Sequence, residues 1–174
     1  GLTHNVSNTC IVGPDEWEDE LEAWLGDTPF MERDAYYVIG RTAFGELIFW
    51  GEKTGQSIKI ITAWGMIFPS FNDAEFKEDG PDLALQLFFS SISRDAFDLL
   101  DEHEKPLFDR ALEKLGSLDH ETMYGFVPAL ALGGSPKLEN LQKFDAHVHL
   151  DILSQLGERR IMRDIAADAR GARQ

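Results

Sequence analysis

Apolar and polar positions alternate through residues 36–68, YYVIGRTAFGELIFWGEKTGQSIKIITAWGMIF, in four short runs rich in β-branched and aromatic side chains. The runs cover residues 36–41, 46–51, 57–62 and 65–68, and the joints between them, Ala-Phe-Gly, Lys-Thr-Gly and Ala63-Trp64, carry turn chemistry at hairpin spacing. This pattern predicts an antiparallel meander. Ahead of it, residues 5–12 read as a strand, and Pro14 then stands at a first-turn position. Trp17, Leu21, Trp24 and Leu25 follow at i, i+4, i+7 and i+8, which predicts one amphipathic helix closed by Gly26. Its solvent face is predicted to hold Asp15, Glu16, Glu18, Asp19, Glu20 and Glu22 without a base among them, more acid than the helix dipole favours in a first turn.

From Pro81 the period becomes helical: Leu83, Leu87 and Ile92 share a face with Ala84, Phe88 and Ser91, and Ser93 can cap a second helix holding Ala96, Phe97 and Leu100. A third helix is predicted over residues 106–115. Residues 125–134, GFVPALALGG, read as a short apolar strand closed by Gly133-Gly134, with Pro128 marking an edge or a kink. Residues 138–156 contain no Gly or Pro, and Leu141, Phe144, Val148, Ile152 and Leu156 form a helical stripe, so one helix is predicted there. The fold class is therefore α+β, an antiparallel β-meander packed with C-terminal helices. Residues 72–80 are the most loop-like joint, dividing segments 1–71 and 72–174, which are expected to share one core.

Composition changes this picture mainly through charge. The 174 residues carry 31 acids and 16 bases, a net charge of −15 with a pI near 4.6. The bases are concentrated late: Arg159, Arg160, Arg163, Arg170 and Arg173 face only three acids from Glu158 onward, leaving −17 on residues 1–157. Such a surface repels nucleic acid and anionic membranes and attracts basic partners. No apolar run approaches the roughly 18 residues of a membrane span, and the start GLTHNVSN lacks the regions of a signal peptide, so a cytoplasmic location is expected. The lone Cys10 agrees with a reducing compartment; without a companion motif it reads as a small buried strand residue, not a nucleophile.

Residues 144–151, FDAHVHLD, raise the question of a metal, because Asp-x-His-x-His resembles the pattern that opens the metal site of barrel-shaped amidohydrolases. A (β/α)8 barrel needs about 250 residues, and only 23 follow Asp151, so a barrel is excluded. On a strand, Asp145, His147, His149 and Asp151 would share one face as a ligand set; on a helix they fall on faces about 200° apart. The predicted helix thus assigns them to packing and local pairing, and no metal, cofactor or catalytic set is expected. Gly51-Glu-Lys-Thr54 is faintly similar to a phosphate loop, but Glu52 interrupts it and its context is strand-turn-strand, so it reads as a hairpin. His103 and His120, among acids, read as solvated surface imidazoles.

The run MYGFVPALALGGSPKLENLQKFDAHVHLDILSQLG resembles the C-terminal signature of immunity proteins that protect bacteria from their own type VI secretion DNase effectors. DEWEDELEAWL and YYVIGRTAFGELIFWGEKTGQSIKI resemble the GAD-like segment that precedes that domain, and the hairpins are similar to the wider SUKH-type immunity folds. The similarity spans most of residues 10–157, with Gly1 standing where the GAD-like segment should already be under way, which suggests a truncated or processed chain. The resemblance implies a non-enzymatic inhibitor whose partner is a cognate basic nuclease toxin, with its DNA-binding or active site blocked, and with no direct contact to nucleic acid or membrane. The alternatives are a small metal-dependent hydrolase using the His-x-His segment, or a general acidic adaptor.

Three acidic clusters are available to hold a toxin: the helix face at 15–22, the loop at 71–82, and the Asp101, Glu102, Glu104 turn. Recognition tends to lie on loops of a rigid scaffold, and aromatic anchors dominate binding energy. The expected contact is therefore Phe71, Asp73, Glu75, Phe76, Glu78, Asp79 and Asp82, with Asp15, Glu16, Asp19 and Glu20 steering the encounter.

Overall fold

The computed structural model describes residues 9–11, 13–70, 86, 90 and 97–162. The meander forms as the alternation predicts: β1 (Thr9–Ile11), β2 (Tyr36–Thr42), β3 (Leu47–Gly51), β4 (Ser57–Ile61) and β5 (Met66–Pro69) pair antiparallel in sequence order. Gly45 takes φ +76° in the β2–β3 turn, where a Cβ would also collide with Met123. Two further strands, β6 (Thr122–Phe126) and β7 (Leu141–Asp145), make a separate antiparallel pair. A two-residue strand β8 (Arg160–Ile161) then returns to the main sheet, parallel to β5.

Three α-helices are described over their full length: α1 (Glu18–Leu25), entered through a 3-10 turn at Pro14–Trp17, α2 (Phe108–Leu115) and α3 (Ala146–Gln155). The helix expected from 106 starts at Phe108 because the Asp98 carboxylate accepts the Leu107 and Phe108 N–H groups at 3.1 and 2.9 Å, satisfying first-turn donors. Of the helices predicted between 81 and 100, Gln86 and Ser90 are helical, but the second does not reach Leu100, which pairs with Pro106 in an antiparallel bridge. Residues 81–85, 87–89 and 91–96, and the side chain of Cys10, lie outside the described residues.

Two predicted elements are corrected. Residues 125–134 are not one strand: β6 ends at Phe126, and Leu130–Leu132 form a 3-10 turn. Pro128 has no N–H to continue a ladder. Residues 138–156 are not one helix but a 3-10 turn (Leu138–Asn140), β7 and α3 in succession. The five-residue register of β6 against β7 satisfies the backbone of 141–145, and the helix begins only where Asp145 accepts the Val148 N–H at 2.9 Å as N-cap. Such a cap is worth about 1 kcal/mol.

One face of the sheet supplies Tyr36, Val38, Leu47, Phe49, Ile58, Ile60 and Ile67 to a cluster closed by Trp17, Trp24 and Leu25 of the α1 region and by Ala146, Leu150 and Leu153 of α3. Residues from both ends of the chain are thus buried in one apolar body. A second cluster joins Phe44 and Ala63 to Leu107, Phe108, Tyr124, Phe126 and Leu141.

Candidate functional site

The first turns of α1 carry the densest acidic face. Asp15, Glu16, Glu18, Asp19 and Glu22 are exposed there, as the pattern predicts. Glu20 is not: it is 4% exposed, which corrects its place on the solvent face. Glu20 stands three residues after Trp17 and four before Trp24, so the helical period turns it inward with them. A charge so placed needs a partner. His147 of α3 provides it, with Nδ1 2.6 Å from Glu20 Oε1, while Glu20 Oε2 has no hydrogen-bond partner among the described residues. The His147 ring also stacks on Trp17 at 4.3 Å between centroids, and the Arg41 guanidinium lies 5.3 Å from the Trp17 ring centre. Buried Arg41 in turn donates to the carbonyls of His120 and Thr122 at 3.0 and 3.1 Å. Glu20 and Arg41 therefore join the N-terminal helix and sheet to the later hairpin and helix.

The candidate ligands of FDAHVHLD take separate tasks. Asp145 caps α3, and His147 meets Glu20. His149, two residues on, is 8% exposed and lies flat on Phe144 at 4.2 Å, beside a small cavity whose lining includes Phe44, Met123 and Leu153. Burial pushes its pKa down, so the imidazole is neutral. Gly125 leaves room for it, since a Cβ there would collide with His149 Nε2. Asp151 accepts from the Gln155 amide at 3.0 Å. Among the described residues, no three His, Cys, Asp or Glu side chains converge as a metal site requires.

The phosphate-loop-like turn is closed from within. Lys53 N–H, Thr54 N–H and the Thr54 hydroxyl donate to the Asp34 carboxylate at 3.0, 2.8 and 2.7 Å, so the chain's own anion occupies the nest. Burial alone would push the Asp34 carboxyl up, but these bonds outweigh it and hold its pKa below the usual value. Nothing in the linear pattern marks Asp34, which lies 20 residues from Thr54. The Asp101 turn is also structural. Its carboxylate accepts from His103 N–H, Lys105 N–H and Arg110 at 2.8, 3.0 and 2.6 Å, and its pKa is lowered to about 2, chiefly by Arg110. His103 and His120 are exposed beside Glu102 and Glu121. The expected contact Phe71, Asp73, Glu75, Phe76, Glu78, Asp79 and Asp82 lies outside the described residues.

Residues 82–157 match the family described as T6SS immunity protein Tdi1, C-terminal, and residues 6–64 match the GAD-like domain. These matches support a type VI secretion immunity protein. The GAD-like match takes in β1, α1 and the meander through Trp64, and the Tdi1 match takes in α2, the β6–β7 pair and α3. The Glu20–His147 contact therefore joins one matched region to the other. The chain also shares its fold with the crystal structure of Atu4351 from Agrobacterium tumefaciens, at a TM-score of 0.77 and 23% identity over 90% of this chain and 71% of that one. A search of curated proteins finds no match. Membership of an immunity family implies a toxin protein as partner and suggests a non-enzyme. No helix among the described residues is long and apolar enough to cross a membrane.

Proposed function

We propose that this immunity protein binds a cognate type VI DNase toxin and neutralises it by covering the toxin's DNA-binding or active site. The match of residues 82–157 to the Tdi1 immunity family carries the reading. Charge supports the finer part. A nuclease holds DNA through a basic surface, and a chain of net charge −15 presents the opposite sign, which speeds encounter and fixes orientation. The same charge argues against direct binding to nucleic acid or anionic membrane. On sequence chemistry, Phe71 and Phe76 among Asp73, Glu75, Glu78, Asp79 and Asp82 are proposed as part of the contact.

The test is a plasmid-cleavage assay with the toxin encoded beside the gene. Expected is stoichiometric loss of cleavage on adding the full chain, with an association rate that falls as salt rises. Undiminished cleavage with the chain in excess would overturn the proposal.

A further inference from the structure

Beside α1 the acidic face is concave. A groove of about 390 Å³ lies between the outer side of α1 and the start of β2, where β1 no longer runs alongside because it pairs only with Gly40, Arg41 and Thr42. Its floor is apolar: Trp17, Tyr36 and Val38 are each at most 2% exposed. Its rim holds the exposed carboxylates of Asp15, Glu18, Asp19 and Glu22, and none of the four pairs with a base among the described residues. Exposed Tyr37 forms part of the lining, its hydroxyl donating to Glu52 at 3.2 Å.

A solvated acidic helix needs no aromatic floor, and an apolar docking groove needs no ring of unpaired carboxylates. Both features fit one kind of occupant, a cationic side chain with an apolar stem. We propose that this groove receives an arginine-bearing segment of the toxin, a proposal that rests on the immunity reading above. Arginine suits it better than lysine. Its planar guanidinium can meet two carboxylate oxygens at once and stack on the Tyr37 ring, while its methylenes lie against the floor. The groove falls within the roughly 300–1,000 Å³ of ligand-sized clefts, so it admits a segment with more than one side chain. The chain already shows this chemistry internally, with the Arg41 guanidinium over Trp17 and Arg159 tied to Asp27 at 2.5 Å. The acidic face is thereby a contact as well as a steering surface.

The experiment uses the full chain and the nuclease domain of the toxin encoded beside its gene, and measures Kd together with hydrogen exchange in the complex. Expected are protection of residues 15–22 and 36–38 on binding, and at least tenfold weaker binding for Glu18→Gln/Glu22→Gln and for Tyr37→Ala, with unchanged thermal unfolding because these side chains are exposed. A wild-type complex that leaves those residues unprotected, with both variants binding at full strength, overturns the groove and leaves the immunity reading standing. Absence of any wild-type complex overturns both.

Discussion

The meander of β2 to β5 and the β6–β7–α3 unit are built from similar apolar stretches, yet only the first follows its local pattern. In the meander each strand ends at a turn written into the adjacent residues, and the register follows from alternation against one buried face. In the second unit an apolar stripe of helical period runs unbroken through residues 141–156, and the chain divides it into a strand and a helix at Asp145. The division depends on β6, which supplies the strand partner from 15 or more residues away. Periodicity reports which residues can be buried together, whereas the choice of backbone depends on what is available to pair with it.

The largest expected effect tests whether the two regions are one cooperative body. Leu150 of α3 is fully buried in the cluster it shares with the sheet, so Leu150→Ala should cost about 3 kcal/mol. All four tryptophans, Trp17, Trp24, Trp50 and Trp64, lie in the N-terminal region, so their fluorescence reports unfolding there. Denaturant unfolding of the variant should shift the tryptophan transition together with the circular-dichroism transition. An unmoved tryptophan transition would show that the shared cluster does not couple the regions.

Asp34→Asn sharpens the meander side of the comparison, because it weakens a charged acceptor that holds three donors of the β3–β4 turn. The expected loss is about 2 kcal/mol at pH 7. The folded-state pKa lies below the ordinary 3.8, so this stabilisation is present above about pH 4 and is lost as pH falls through the folded value. Denaturation midpoints of wild type and variant should therefore converge in acid. A constant gap down to pH 2 would contradict the role given to the carboxylate.

A smaller effect belongs to the second unit. His149 has its pKa depressed below 6.5 by burial, so its neutral form favours the fold above that pH, and stability drains away as pH falls through the folded value. His149→Leu should flatten the decline in melting temperature between about pH 6.5 and 5. Equal slopes in wild type and His149→Leu would locate the acid sensitivity elsewhere.

Local chemistry alone determined much of this protein. Turn residues and alternation marked four strands, and Pro14 and the Trp17, Leu21, Trp24, Leu25 stripe marked α1. The strings 125–134 and 44–55 were also specific enough to point to the immunity and GAD-like matches, since such a resemblance is itself a property of the linear string. The tertiary structure decided the rest: that Glu20 turns inward to His147, that Asp34 fills the Lys53–Thr54 nest, that His149 is a neutral core residue, and that four rim carboxylates surround an aromatic floor. The physical reason is range. Turns and caps act between near neighbours in the chain, but whether a charged side chain is buried and paired depends on partners distant along it, 20 residues away for Asp34 and Thr54 and 127 for Glu20 and His147.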